Sequence, residues 1–282
     1  MAIPILGAAA VADGLLTPAQ LRHRYEPVFR GIYFEKEYSP TLFERIAAAR
    51  LAVPRAVIAG IAASALHGAK WVDDDEVIEL VGRCRPQRGL KGREETLRAD
   101  EVMIRYDVPV TTPARTAFDL ARRLGKKVAI GRLDALMSAA PFSIEDALLL
   151  AKVHPRARGL ADARKVLPFV DGGAESLRES RLRMVLIDGG LPVPTTQFTV
   201  YRADGKYIRR IDMVWEDYRV GAEYDGEQHL TSREQYARDV WSRGELQKLG
   251  WFVIHVIKEH HEANIVAEAR AALLARGWDG YP

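Results

Sequence analysis

Asp212, Glu223 and Asp225 are the residues of this 282-residue chain whose types and spacing could do chemistry. Carboxylates held close together repel one another unless something cationic lies among them. Mg²⁺ (or Mn²⁺) is the ion expected there, since it takes hard oxygen ligands and keeps several waters for reaction.

The segment that must position them reads as a β-hairpin. With Glu216 and Asp217 as a two-residue loop, Trp215 faces Tyr218 and Asp212 faces Gly221. A strand period of two then puts Asp212, Gly221, Glu223 and Asp225 on one face. Asp212 and Glu223 become diagonal neighbours, roughly 7–8 Å apart at the backbone and within reach of one shared cation. Gly221, without a side chain, leaves room between them. The other face (Ile211, Met213, Val220, Ala222, Tyr224) is apolar and goes to the core. A solvated sheet face also carries Asp and Glu; against that stands the single sign of charge on this one.

The surrounding elements read in the order helix, strand, strand, strand, helix, strand, helix. Residues 174–187 form the first helix, stopped by Gly189-Gly190. Glu175 and Glu179 continue its apolar stripe with Leu182 and Leu186 at i, i+4, i+7 and i+11. An acid there is a candidate ligand, or simply an acid favoured by a helix N-terminus. Strands follow at 197–201, 208–215 and 219–225. A helix over 233–249 opens with a capping-box spacing between Ser232 and Gln235. The apolar strand 251–257 suits burial on both faces, and a helix over 261–276 closes an α/β domain with a central mixed sheet.

The run Asp212-Met-Val-Trp, then Glu223-Tyr-Asp225-Gly226-Glu-Gln-His229, then Asp239 to Arg243 and Leu249-Gly250-Trp251 resembles a bacterial family related to the very-short-patch-repair endonucleases, within the PD-(D/E)xK (restriction-endonuclease-like) superfamily. The resemblance covers about residues 171–282. It implies a metal-dependent DNA endonuclease in which Asp212 is the central ligand and Glu223 or Asp225 the second. Glu175 would be the helix-borne acid, His229 would stand near the attacking water, and Asp239 and Arg243 would brace the site or touch phosphate. The last two could equally be a surface pair at i, i+4, and His229 a surface or capping histidine. His255, His260 and His261 read as structural. The superfamily's usual lysine is Asp225 here, so the general base must be His229 or a metal-bound hydroxide. A single cysteine forbids the repair enzymes' zinc site, and Glu227-Gln228 occupy the positions of their aromatic wedge, so mismatch repair does not carry over.

Before the Asp171-Gly172-Gly173 linker the pattern is mixed α+β, then helical. Thr17 with Pro18 starts a helix. A strand lies at 28–33, helices at 41–51 and 56–66, strands at 76–81 and 102–106, and helices from 112 to about 167. Residues 15–21, Phe29 to Tyr33, Ala59 to Gly68 and Thr111 to Leu120 resemble the abortive-infection (type IV toxin–antitoxin) antitoxins, over roughly residues 15–125. That resemblance implies a winged helix joined to a second domain, and transcriptional autorepression. The segment before Phe29 is short for a recognition helix. Arg83, Arg85, Arg88, Lys91 and Arg93 crowd one loop that could hold DNA phosphates without reading sequence, or could be a solvated charged loop.

Composition fits these assignments. Hydrophobic residues make up 48% and charged residues 28%, as in soluble globular proteins. The net charge of +3 permits nucleic-acid binding without arguing for it. Cys84 alone excludes an internal disulfide and a Cys-cluster zinc site. No apolar run approaches the ~20 residues of a membrane span, and a cytoplasmic setting is expected. The expectation is two domains, 1–170 antitoxin-like (winged-helix-like α+β with helices) and 171–282 restriction-endonuclease-like. The function expected is DNA phosphodiester hydrolysis with an N-terminal DNA-binding or targeting module. The alternative is a non-enzymatic DNA-binding regulator, or antitoxin-like repressor, with a degenerate nuclease fold.

Overall fold

In the computed structural model, which describes residues 2–226 and 233–281, the chain divides into two units, Met1–Gly172 and Gly173–Pro282. Each is a mixed α/β assembly, with two sheets in the first unit and one in the second, flanked by helices. Among the described residues no helix is long and apolar enough to cross a membrane.

The first unit opens with β1 (Ile5–Leu6), α1 (Gly7–Ala12), α2 (Pro18–Arg24), β2 (Tyr25–Phe29) and β3 (Ile32–Glu35). Thr17 caps α2 through a reciprocal pair. Its hydroxyl accepts from the Gln20 N–H (3.1 Å), and the Gln20 side chain accepts from the Thr17 N–H (2.8 Å). The single strand expected at 28–33 is instead a hairpin turning at Arg30-Gly31, with Gly31 at φ 78°. Helix α3 (Leu42–Ala52) is capped by Thr41 and Glu44 in the same way.

A five-stranded sheet follows, ordered β6-β5-β4-β8-β7. Its strands are β4 (Val57–Ala59), β5 (Ile78–Val81), β6 (Leu90–Arg93), β7 (Val102–Arg105) and β8 (Val108–Thr111). The helix expected over 56–66 is therefore a strand that turns at Gly60 into α4 (Gly60–Leu66). Ile58 pairs with Leu80 on one side and Val110 on the other, and is fully buried. β-branched Val57 and Ile58 followed by a glycine at φ 64° suit that bend better than a helix interior. β8 was hidden from the sequence by Pro109. It pairs with β7 through Tyr106 and Asp107, both at positive φ as in a type I′ turn. Four helices complete the unit: α5 (Pro113–Arg123), α6 (Lys126–Ala139), α7 (Ile144–Val153) and α8 (Leu160–Val166).

The second unit runs α9 (Leu177–Asp188), β9 (Thr195–Tyr201), β10 (Tyr207–Trp215), β11 (Val220–Tyr224), α10 (Arg233–Lys248), β12 (Phe252–Val256) and α11 (Glu262–Leu274). Its sheet is ordered β12-β11-β10-β9, with β12 parallel to β11 and the other pairings antiparallel. Leu182 and Leu186 of α9 and Ile265 and Leu273 of α11 pack with Met213, Trp215, Val220 and Ala222 in one core. Leu246 of α10 and Trp251 pack with Ile211 and Val214 in another.

Candidate functional site

The β10–β11 hairpin differs from the expected register. Trp215 pairs with Val220 and Val214 with Gly221, because residues 216–218 form a 3₁₀ turn and Arg219 takes a left-handed φ of 49°. A displacement of two residues keeps every β11 side chain on its expected face but changes which residue it meets. Alternation itself breaks in β10. Ile211 and Val214, three apart, enter the same core, and Gln197, opposite Asp212 in the β9 register, has φ 52°. The space above Gly221 is accordingly not open between carboxylates, since a Cβ there would lie 2.9 Å from the Ile211 Cγ2.

This break decides where the acids go. The Asp212 carboxylate accepts the Tyr224 N–H at 3.0 Å, as a strand carbonyl would. Burial pushes its pKa up to about 6, with the charge of Glu179 adding to the rise and the Tyr224 hydrogen bond opposing it. Glu223 is buried, which raises its pKa, while Arg209 pulls it back. Arg209, two residues before Ile211 on β10, pairs with Glu223. Its Nε donates to Oε1 at 2.7 Å, and Nη2 lies 2.7 Å from Oε2 as an ion pair without hydrogen-bond geometry. The same guanidinium reaches Asp239 Oδ1 at 3.3 Å on α10. Asp239 thus braces Glu223 through Arg209, and Arg243 stands exposed on the wall of an adjoining cavity of about 410 Å³.

His255 joins the group through the parallel pairing of β12 with β11, which sets it beside Glu223. Its Nδ1 lies 3.0 Å from Asp225 Oδ2 and 3.7 Å from Glu223 Oε2. Glu223, Asp225 and His255 each offer one ligand atom within 4.8 Å of the others. That set could hold a divalent ion, with His255 in the place expected of Asp212. Glu175 precedes α9, is half exposed and pairs with Arg210 at 2.5 Å. The helix acid near the site is Glu179, whose N–H is capped by Ser176 and whose carboxylate accepts from Gln197 at 2.9 Å. His229 and the Ser232 cap lie outside the described residues. Arg209 and His255, the latter expected to be structural, are thus part of the group. On a regular strand Arg209 and Asp212 would face opposite ways, and nothing local announces the partner of β12.

In the first unit the basic stretch divides. Arg85 and Arg88 are exposed, as is Arg83, which lies 4.0 Å from Glu94. Lys91 meets Glu79 at 3.2 Å. Arg93 is no surface contact. It is buried, paired with Glu79 and 3.2 Å from Asp119 Oδ2, because its position in β6 turns it inward toward α5. The loop expected over these residues contains that strand.

Residues 59–169 match the family of the AbiEi antitoxin C-terminal domain. No solved structure matches the chain. Two curated relatives are the uncharacterized proteins Rv2248 and MT2308 of Mycobacterium tuberculosis, from strains H37Rv and CDC 1551. Each is 34% identical over 238 residues, which is 82% of this chain and 84% of the relative. The protein therefore belongs to the family of these mycobacterial relatives, with residues 59–169 matching the AbiEi antitoxin C-terminal domain.

Proposed function

We propose that the protein is a DNA-binding regulator of the antitoxin type, whose C-terminal unit keeps a nuclease-like layout without cleaving DNA. The observation that carries this reading is Arg209. Its guanidinium engages both oxygens of Glu223, so a fixed side-chain cation supplies the neutralising charge a metal would bring. The antitoxin-type match over residues 59–169 supports it. So does the order α1, α2, β2, β3: two short helices followed by a hairpin, the layout of a winged helix. Helix α2 buries no residue and ends in Arg22, His23 and Arg24, with Arg30 and Lys36 exposed on the hairpin. These cations, more than the loop at Arg85 and Arg88, are the proposed phosphate contacts.

Fluorescence anisotropy tests the reading, with a duplex from upstream of the protein's own coding region and an unrelated duplex. Expected is salt-dependent binding that is tighter for the upstream DNA. Arg22→Ala with Arg24→Ala should lower the slope of log K against log salt by ~0.9 for each phosphate that the variant leaves unneutralised. Plasmid and single-stranded DNA should stay intact with Mg²⁺ or Mn²⁺. Absence of binding, or cleavage abolished by Asp212→Ala, would overturn the proposal. A second reading, metal-dependent phosphodiester hydrolysis, rests on the resemblance of 171–282 and is favoured by the convergence of Glu223, Asp225 and His255. On that reading Mn²⁺ raises the melting temperature of wild type and not of Asp225→Asn.

A further inference from the structure

Helix α5 turns a charged face inward. Arg115, Asp119 and Arg122 are all buried. Asp119 meets three guanidiniums, Arg93 at 3.2 Å, Arg115 at 3.3 Å and Arg122 at 2.7 Å. Glu95 meets Arg115 at 2.9 Å, Arg122 at 2.5 Å and also Arg123. Burying so many charges costs more than an apolar core of the same volume, and such departures concentrate where a protein binds something. Glu95 shows the strength of the positive field. Although burial raises its pKa, Arg122 and Arg123 hold it down at about 2.

This network is the floor of a cavity of about 780 Å³, whose lining holds seven Lys or Arg side chains against two carboxylates, Glu94 and Glu95. Counting Glu79, which pairs with Lys91 and Arg93, and buried Asp119 and Glu101 still leaves an excess of positive charge. The rim supplies the cations still available. Arg156 and Arg158 are exposed and, among the described residues, meet no carboxylate. Their loop is held to the floor. His154 Nε2 lies 2.6 Å from Glu101 Oε1, and the Arg122 Nη1 donates to the Arg158 carbonyl at 3.4 Å. Gly159 closes the loop at φ 79°, with its Cα turned to the Arg122 carbonyl. Val153, Pro155 and Ala157 add an apolar wall.

We propose that this cavity binds a free nucleoside polyphosphate, with phosphates on Arg156 and Arg158 and the nucleoside against the Val153–Pro155–Ala157 wall. The volume suits a small ligand and exceeds what a lone phosphate needs. Guanidiniums that converge on a concavity match a compact polyanion, whereas a double helix needs a track of charges along an open surface. The site is independent of the regulator reading, because it lies away from α2 and its hairpin in sequence and uses none of their residues.

Isothermal titration of the full chain with ATP, AMP, adenosine and inorganic pyrophosphate, without added DNA, tests the assignment. Expected is saturable binding of ATP, weaker binding of AMP and none of adenosine. The double variant Arg156→Ala/Arg158→Ala should weaken ATP by about tenfold or more, as for the loss of charge-assisted hydrogen bonds. Arg85→Ala/Arg88→Ala, equally basic and exposed, should bind ATP as wild type does. No ATP binding by wild type, equal affinity in the Arg156/Arg158 variant, or pyrophosphate binding as tightly as ATP would overturn the proposal. So would binding of a 5′-phosphorylated oligonucleotide but not of ATP.

Discussion

Replacing Asp212 by Asn tests whether the break in β10 buries a carboxylate at a cost. The amide oxygen of Asn can accept the Tyr224 N–H as the carboxylate does at 3.0 Å, so the backbone hydrogen bond survives while the charge goes. Asp212 is raised from 3.8 to about 6, by burial first and the charge of Glu179 next. A carboxyl whose pKa rises on folding binds its proton more tightly in the native state. Its contribution to stability is therefore full below about pH 4, falls as the pH climbs from about 4 to 6, and is gone above that. A rise of about two units corresponds to ~3 kcal/mol at most. Urea unfolding followed by tryptophan fluorescence reads this unit well, since Trp215, Trp241, Trp251 and Trp278 lie in it and only Trp71 lies outside. Asp212→Asn should match wild type near pH 4 and exceed it by roughly 1–3 kcal/mol at pH 8. Equal stability at pH 8, or a variant less stable at both pH values, would show that the Asp212 charge costs the folded state nothing.

Two further substitutions address the first unit. Arg93→Ala should cost about 2–3 kcal/mol, because it removes a buried cation shared by Asp119 and Glu79 and leaves Asp119 to Arg115 and Arg122, and Glu79 to Lys91; thermal denaturation checks it, and a drop in DNA affinity at unchanged stability would return Arg93 to the surface. Gly159→Ala should destabilise by about 2 kcal/mol or more, since the residue has φ 79° and a Cβ would fall on the Arg122 carbonyl. Chemical denaturation reads the loss, and a neutral outcome would show that the 154–159 loop moves away from α5 without penalty.

Sequence alone carried the signals that act within a few residues. Thr17 and Thr41 cap their helices because Gln20 and Glu44 stand three residues on. The order of elements in the second unit followed from apolar periodicity and from Gly189-Gly190 and Gly250 as stops. Acids converging on β11 were also legible, because alternation puts Glu223 and Asp225 on one face whatever the register. What the tertiary structure decided is which groups meet them. The two-residue change in hairpin register, the break at Asp212 and the parallel seating of β12 bring Arg209 and His255 to Glu223, and direct Asp212 to a backbone N–H. Arg93 likewise looks like any other cation of a basic stretch until β6 pairs with β5 and faces it to Asp119 on α5. Caps and periodicity are properties of neighbours along the chain. Strand pairing joins residues far apart in it, and a local pattern contains no term for the partner.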